Sequence, residues 1–356
     1  MAGHDSTTNA PGAVLNPLSS TLTYIFRPGF LSLLDASLGD GLWTRLPKIM
    51  ARGADIRQKF HYARNTGGGA TTETGTVGTA GAQRYITGRL PFRIYTKPVE
   101  VTDFYQAQSI AAGHSGYEAW ADEIARSAED MRQDIEKGLW TAQTGNAING
   151  VPDYVDDGSN TNSIWGLDRD DYPMLRALRL ATGSDRDLTL LLMRQARRQA
   201  LHGTGADVVG GQTTFAAEDQ GGARISLWAT TPTLEQHYEA IITANARYPM
   251  PPGGRRGTDP SQTDMAYGEA PIVASKYCPS GAMFGLDLRY WHIEILPQHL
   301  VLPTGERRVT DFALIIQGRA GQKIQAFWRI YFQLVCTNPH RNVLIDDLDE
   351  SAEPSV

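Results

Sequence analysis

The sequence predicts an α+β fold, on three observations. Two segments of period-two alternation flank a Gly/Thr-rich stretch at residues 65–83 and predict a long β-hairpin. Residues 116–140 place apolar side chains at steps of three or four, which predicts an amphipathic helix. Alternation over residues 323–336 predicts a strand with one buried face, paired with the segment before it across the turn GRAG at 318–321.

Length and composition describe a globular protein of two lobes. The 356 residues exceed the size at which a single core usually divides, and 41% are hydrophobic. No run of eighteen apolar residues occurs, and the first residues lack the basic and apolar regions of a secretory signal. The two cysteines, Cys278 and Cys336, form no C-x-x-C pair, so we expect neither a disulfide framework nor a metal site.

Charge is distributed unevenly. Residues 51–100 hold eight basic and three acidic side chains, a net of +5, which leaves −11 for the rest of a chain whose net charge is −6. A net negative charge argues against nonspecific DNA binding as the main activity. Of the 33 basic residues, 27 are arginine. Two interpretations remain open, a codon-biased genome and a protein with extensive interfaces, where the guanidinium group forms bidentate ion pairs.

The hairpin strands alternate apolar with basic side chains. Ile56, Phe60 and Tyr62 alternate with Arg57 and Lys59, and after the Gly/Thr stretch even positions 86–94 are apolar. No lysine follows the glycines as in a P-loop, and no helix begins after them as in a Rossmann fold. We expect a basic hairpin with a flexible tip. Because an isolated hairpin is marginally stable, it should lie on another surface, with a neighbouring subunit as the obvious candidate.

The predicted helix at 116–140 carries an acidic outer face. Seven acids and three bases fall between residues 117 and 140, and Glu136 stands four residues after Arg132, at the spacing of a surface ion pair. A helix face that is simply exposed to solvent would show the same pattern of charges. Beside a basic hairpin in the same chain, this face is also a plausible docking surface.

The second lobe is predicted as a mixed α/β layer. Ser184 and Asp187 form a capping box before one helix, and Thr231 with Pro232 begins another. In the strand at 323–336, Trp328, Ile330 and Phe332 should be buried against the long helix. Their expected contacts there are Trp120, Ile124 and Met131. The acidic residues at the end, 346–356, are expected to be solvated.

No pattern in the sequence indicates catalysis or a cofactor. The eight histidines lack metal-ligand spacing, and no nucleophile elbow occurs. The string LDRDDY at 167–172 holds three carboxylates that could bind a divalent cation, but a turn with capped carboxylates is the better interpretation. We therefore expect no enzyme activity, no metal and no cofactor.

Four motifs resemble the major capsid proteins of tailed bacteriophages, whose fold is shared with herpesvirus capsid floor domains and encapsulins. They are ING at 148–150, SIWGLDRDDYPMLRA at 163–177, PIVASKYCPSGAMFGLDLRYW at 271–291 and QLVCTNPHRN at 333–342. Each motif is weak alone, but their order is also the order of the family. The resemblance extends from about residue 40 to residue 345.

The resemblance implies a domain organisation. It consists of an N-terminal arm at 1–45, an extended β-hairpin loop at 46–102, a peripheral domain with a spine helix at 103–172 and 300–345, an axial α/β domain at 173–299, and an acidic tail at 346–356. The Gly/Thr stretch then resembles the tip of the extended loop. Glycine gives that tip several backbone conformations, so one sequence can fit both pentamers and hexamers.

The resemblance also implies function and partners. It implies a shell protein of the virion that assembles with itself into hexamers and pentamers and encloses double-stranded DNA without reading its sequence. The same likeness implies synthesis in the bacterial host cytoplasm, a portal protein and, optionally, a decoration protein. It implies no association with a membrane. Residues expected at intersubunit contacts are Arg57, Lys59, Arg64, Arg84, Arg89, Glu129, Asp130, Tyr24 and Phe26.

Some features depart from the family. The residues before Leu42 are too few for the cleaved scaffolding segment of many members, so we expect a separate scaffolding protein. Some members join subunits by an isopeptide bond, for which Lys59 with Asn338 or Asn342 are the available residues, although Lys59 lies far from the tip. Two other functions stay open: an encapsulin-type nanocompartment and, more distantly, an enzyme with a Gly-rich lid over 65–83.

Overall fold

The structure is a computed structural model of the chain. It describes residues 41–63, 84–111, 116–202, 207–209, 212–215, 222–245, 266–301, 307–310 and 312–351. The helices are α1 (Leu42–Arg45), α2 (Asp103–Ala111), α3 (Gly116–Trp140), α4 (Val151–Tyr154), α5 (Leu190–His202) and α6 (Pro232–Asn245). The predicted long helix at 116–140 is confirmed as α3.

The described strands differ in length along the chain. They are β1 (Lys48–Met50), β2 (Asp55–Ala63), β3 (Arg84–Pro91), β4 (Arg93–Thr102), β5 (Ser163–Ile164), β6 (Leu167–Asp168), β7 (Leu178–Leu180), β8 (Asp207–Val209), β9 (Gln212–Phe215), β10 (Leu227–Thr230), β11 (Ala266–Tyr267), β12 (Ala270–Ala274), β13 (Met283–Leu286), β14 (Trp291–Ile295), β15 (Gln298–Val301), β16 (Arg307–Thr310), β17 (Phe312–Ala320), β18 (Lys323–Cys336) and β19 (Val343–Ile345).

The described residues form two compact units. The smaller unit consists of Tyr95–Asp134 and Gln298–Ile330, and the larger of residues 41–94, 135–297 and 331–351. The domain boundaries expected from the resemblance remain a prediction.

The smaller unit packs a sheet against most of α3. Strands β17 and β18 pair antiparallel, and β4 pairs with β18. The Trp328 indole Nε1 donates to the Ile124 carbonyl oxygen (3.2 Å) and the Ser127 hydroxyl (3.0 Å), so the predicted contact between this strand and helix is present. Trp328 is only half-buried, however, so the prediction that it would be buried is wrong.

Ile330 and Phe332 are buried as predicted, and the contact with the long helix expected of them remains a prediction. Phe332 belongs to the larger unit, where its ring packs edge-on against Trp43, with centroids 5.5 Å apart.

A six-stranded sheet organises the larger unit. Its strand order is β11-β12-β10-β13-β19-β7, so β19, which comes last in the chain, lies between β13 and β7. Helices α5 and α6 contribute to one core cluster with this sheet, through residues such as Met193, Leu234 and Ile345. This sheet and its two helices form the mixed α/β layer predicted for the second lobe.

One predicted helix start is correct and one is wrong. Helix α6 begins at Pro232 as predicted, and the Thr231 hydroxyl accepts from the Leu234 amide (3.4 Å). Helix α5 begins at Leu190, and its N-cap is Thr189, whose hydroxyl accepts from the Leu192 amide (3.2 Å). The Ser184–Asp187 capping box was misplaced because Thr189 lies closer to the apolar run that the core buries.

The alternation predicted through residues 85–95 breaks at Phe92. Leu90 in β3 is buried, but Ile94 in β4 is exposed, and in β4 the odd-numbered Val99 and Val101 point inward. The chain forms two strands there, and the one residue between them reverses which side chains face inward.

The acidic residues at 346–350 are packed rather than solvated, which corrects the prediction for this part of the segment. Leu348 is buried, and the Asp347 carboxylate accepts from the amides of Thr182 (2.8 Å) and Gly183 (2.7 Å). The Glu350 carboxylate accepts from the Gly281 amide (2.8 Å), and also from the Thr231 and Ser280 hydroxyls. The carboxylates serve as hydrogen-bond acceptors for turns of the larger unit, so a high density of acids did not mean solvent exposure.

Glu350→Gln is expected to lower the free energy of unfolding near neutral pH by about 1 kcal/mol, because three hydrogen bonds lose a charged acceptor. Burial works to raise the pKa of Glu350, but these hydrogen bonds hold it below its ordinary value. The stabilisation is therefore complete above the pKa of the unfolded chain and is lost as pH falls through the folded-state pKa. Urea unfolding of both proteins should show a gap near neutrality that closes in acid.

Glu269→Gln is the matched control, because Glu269 has a largely exposed side chain. Its effect should be small at every pH. An equal gap between Glu350→Gln and the parent at both pH values would contradict the assignment of Glu350 as a charged acceptor.

In the part of the chain that the structure describes, every helix is too short or too polar to cross a lipid bilayer.

Candidate assembly surfaces

Strands β2 and β3 form the predicted hairpin. They pair antiparallel from Asp55 opposite Pro91 to His61 opposite Tyr85. Ile56, Phe60 and Leu90 are buried on one side, as the alternation predicted for this pair of strands. The Gly/Thr stretch between the strands lies outside the described residues.

The apolar side of the hairpin lies on the chain's own turn at residues 163–168. The Arg89 amide donates to the Trp165 carbonyl oxygen (2.8 Å), and the Phe60 and Trp165 rings meet edge-on at 5.4 Å. A Cβ at Gly88 would stand 2.7 Å from the Trp165 Cβ, so only glycine allows this approach. The support that an isolated hairpin needs therefore comes from the same chain, which corrects the expectation that a neighbour supplies it.

The other side of the hairpin is basic and exposed. Arg57, Lys59, Arg84 and Arg89 against Asp55 give the described strands a net charge of +3. The side chains of Arg57 and Arg89 are 66% and 70% exposed, and the Lys59 ammonium lies 4.3 Å from the centroid of the Tyr85 ring. We call this surface, formed by Arg57, Lys59, Arg84 and Arg89, the basic face.

Two of these arginines share a carboxylate within the hairpin. Arg57 Nε lies 3.2 Å from Asp55 Oδ2, and Arg89 contacts the same oxygen. Loss of solvent around Asp55 works to raise its pKa, but the two guanidiniums hold it below its ordinary value. Asp55 thus fixes the positions of Arg57 and Arg89, whereas Arg84 and Lys59 have no carboxylate partner among the described residues.

Arg169 holds together the loop beneath the hairpin. Its side chain is 0% exposed and lies 3.4 Å from the Asp156 carboxylate. It also donates to the carbonyl oxygens of Leu175 (3.1 Å) and Tyr154 (3.2 Å), and to those of Asp153 and Thr161. Burial lowers the pKa of Arg169, while the nearby aspartates oppose that effect. Sequence reasoning on LDRDDY weighed the carboxylates and missed the arginine between them.

Two of the three carboxylates of LDRDDY have partners in the structure. Asp168 accepts from the Asp170 amide (2.8 Å), and Asp170 pairs with Arg176 (2.6 Å). Over the described ranges, His, Cys, Asp and Glu side chains form no group of three or more that could hold a metal ion. The turn interpretation therefore accounts for Asp168, and an ion pair accounts for Asp170.

One residue of the predicted acidic surface on α3, Glu136, does not lie on that surface. Glu129 is exposed and Asp130 half-buried, but Glu136 is only 2% exposed. Its carboxylate accepts from the amides of Leu42 (2.8 Å) and Trp43 (3.0 Å). A Cβ at Gly41 would stand 2.9 Å from that carboxylate, so glycine allows the approach. Glu136 was wrongly placed on the outer face because these donors lie more than 90 residues away in the chain.

The structure bears on only one of the residues considered for an isopeptide bond. Asn342 is fully buried, and its Oδ1 accepts from the Asp287 amide (3.1 Å) and from the Trp291 indole (2.8 Å). Asn342 is therefore a structural residue in the described conformation. For Lys59 and the half-buried Asn338, a role in such a bond remains a prediction.

The basic face and the acidic residues of α3 belong to different units. Arg57, Lys59, Arg84 and Arg89 lie in the larger unit, and Glu129 and Asp130 lie in the smaller one. Tyr24, Phe26 and Arg64 fall outside the described residues. The intersubunit role expected of all these residues remains a prediction.

Comparison with known proteins places the chain by its fold. No family model matches the sequence, and no curated protein matches it. Among solved structures, the capsid asymmetric unit of cyanophage A-1(L) shares 16% identity with a TM-score of 0.65, covering 94% of this chain and 99% of that one. The capsid of a native GTA particle shares 10% identity with a TM-score of 0.59, covering 98% and 100%.

A third match is a nanocompartment shell. The encapsulin of the holo-SrpI complex from Synechococcus elongatus PCC 7942 shares 11% identity with a TM-score of 0.58, covering 96% of this chain and 99% of that one. The resemblance read from the sequence motifs is thus confirmed at the level of the fold. The chain has the capsid-protein fold that tailed-phage shells and encapsulins share.

Proposed function

We propose that this protein is the major capsid protein of a tailed phage. In this proposal it assembles into pentamers and hexamers of an icosahedral head that encloses double-stranded DNA. The capsid fold along nearly the whole chain supports a shell role. The observation that carries the assembly proposal is the hairpin, because its apolar side is covered by its own chain while its basic face is exposed.

An exposed set of arginines, two of which are paired with Asp55, is suited to selecting a partner. Exposed ion pairs contribute only about 0–1 kcal/mol each, so the basic face adds little to the stability of one subunit. At an interface, several such charges act together and determine register and partner choice. We propose that the basic face meets an acidic surface of the next subunit, with Glu129 and Asp130 as the facing residues. Tyr24, Phe26 and Arg64 are proposed to contribute to the same contacts.

The remaining partners follow from the phage proposal. A portal protein, a separate scaffolding protein and, optionally, a decoration protein complete the particle, which is assembled in the host cytoplasm. The net charge of −6 suits a shell that holds DNA without adhering to it.

An encapsulin-like nanocompartment is the second candidate. The likeness to a cyanobacterial encapsulin over 96% of this chain favours it. The contents of purified particles separate the two functions, since a phage head holds DNA and a nanocompartment holds protein cargo.

Reversal of the basic face should abolish closed particles and leave the subunit folded. Reversing Arg57 and Arg89 alone would place three carboxylates together at Asp55 and damage the hairpin itself. The test variant therefore combines Arg57→Glu, Arg84→Glu and Arg89→Glu with Asp55→Arg, which keeps the local ion pairs with inverted signs. Sedimentation and negative-stain microscopy at low and high salt measure particle yield, and circular dichroism checks folding.

Two further variants test which residues face the basic face and whether any charge reversal would prevent assembly. Glu129→Lys with Asp130→Lys should partly restore assembly of the reversed chain if these are the facing residues. Arg224→Glu is the matched control, because Arg224 is largely exposed and lies off the hairpin. Normal particles from the reversed chain at both salt levels would show that the basic face is not an assembly surface.

A further inference from the structure

Helix α5 presents a basic stripe away from its core. Leu192, Met193, Ala196 and Ala200 face the sheet. The opposite side carries exposed residues along its whole length: Leu191, Arg194, Gln195, Arg198, Leu201 and His202. Leu191 is 71% exposed and Leu201 49% exposed, so the arginines have apolar side chains at both ends of the stripe. The helix contains three arginines and no acid, and Arg197 is exposed as well.

Helix α6 carries the opposite charge. It contains Glu235 and Glu239 but neither lysine nor arginine. Both glutamates are half-buried residues, and they stand next to the inward-facing Leu234 and Tyr238 in the helix. Burial and then the Glu239 carboxylate raise the pKa of Glu235, because like charges four residues apart repel each other.

The two helices lie on one face of the six-stranded sheet, toward its opposite ends. Both contribute to a single core cluster, which places them on the same face. Helix α5 packs on β19 and β7, at one end of the strand order, and α6 packs on β12, toward the other end. A subunit therefore displays a basic helix toward one end and an acidic helix toward the other.

We propose that α5 of one copy of this chain binds α6 of the next copy, with Arg194 and Arg198 facing Glu235 and Glu239. The complementary charges favour a second copy as the partner. Two different surfaces that meet in this way form a head-to-tail contact, which can be repeated from copy to copy and forms a ring where the rotation between neighbouring copies closes. The inference rests on the proposed function, since it assigns the residues by which subunits of the shell meet around a ring.

Reversal of either helix alone should prevent ring closure. One variant combines Arg194→Glu with Arg198→Glu, and the other combines Glu235→Arg with Glu239→Arg. Each makes the contact like-charged, and native mass spectrometry should show roughly tenfold fewer pentamers and hexamers than for the parent. Both changes in one chain restore opposite charges and should restore both kinds of ring. Arg224→Glu, a reversal of an exposed residue outside both helices, should leave ring yield unchanged.

A mixture of the two single-helix variants gives a sharper result. Each variant repels its own kind and attracts the other, so the two must alternate around a ring. Only rings with an even number of subunits can then close. We expect mixed hexamers without pentamers, and hence no closed shells from the mixture.

The outcomes separate this inference from the proposed function. If the parent chain forms rings and both single-helix variants form them equally well, the contact between α5 and α6 is wrong while the shell function stands. If reversal of α5 leaves rings intact but lowers binding of the particles to duplex DNA, α5 serves a polyanion, and the inference is again overturned. A parent chain that forms no rings would refute both.

Discussion

Arg169→Met is expected to lower the free energy of unfolding by about 3–5 kcal/mol, because it removes one partner of a fully buried ion pair. The Asp156 carboxylate would lose the guanidinium that faces it. Four carbonyl oxygens, those of Leu175, Tyr154, Asp153 and Thr161, would lose a donor in the same step. Urea unfolding followed by fluorescence should show a lower midpoint with an unchanged slope.

Two control variants identify the physical cause. Arg169→Lys keeps a positive charge but lacks the planar fork that reaches five acceptors, so it should lose most of the stability as well. Arg224→Met removes an exposed arginine whose pairing with Glu269 is weakened by solvent, and it should cost at most about 1 kcal/mol. A midpoint for Arg169→Met within that small range would mean that the loop holds without its buried arginine.

Local periodicity predicted the elements whose pattern lies within a few residues. The steps of three or four in residues 116–140 located α3, and the alternation of Ile56 and Phe60 with Arg57 and Lys59 gave the two faces of β2. These patterns report which side of an element is buried, and each requires only its own neighbours in the chain.

The break at Phe92 was also within reach of the sequence. Pro91 interrupts the alternating run, and proline cannot donate the hydrogen bond that continues a strand ladder. An interruption at that residue would have placed Ile94 on the exposed side, as the structure does.

Local sequence patterns did not predict which charged residues are buried. Glu136 and Arg169 stand in strings that look like solvated surface, and each is buried by partners elsewhere in the fold. Glu136 binds amides that lie 93 and 94 residues away in the chain. A charged residue is buried only when the fold supplies its hydrogen-bond partners, and spacing along a sequence does not reveal which partners meet. The packing of the hairpin on the turn at residues 163–168 of its own chain was not predicted for the same reason.

A chain that ends at Asn342 is expected to lose the folded six-stranded sheet. The truncation removes β19, which pairs with β13 on one side and with β7 on the other. It also removes Leu348 and the carboxylates of Asp347 and Glu350 that bind turns of the same unit. We expect an insoluble product, or a soluble one whose circular dichroism lacks the cooperative transition of the parent.

The size of the effect follows from what β19 and Leu348 bury. Val343, Leu344, Ile345 and Leu348 are all buried, and at about 1.5–3 kcal/mol for each such side chain their loss amounts to roughly 6–12 kcal/mol. A whole domain is stable by only about 5–15 kcal/mol, so this loss is comparable with the entire stability of the unit. A chain ending at Ser351 keeps all of these contacts and should unfold like the parent. If the chain ending at Asn342 also unfolded cooperatively at the parental midpoint, β19 would be an accessory to a sheet that forms without it.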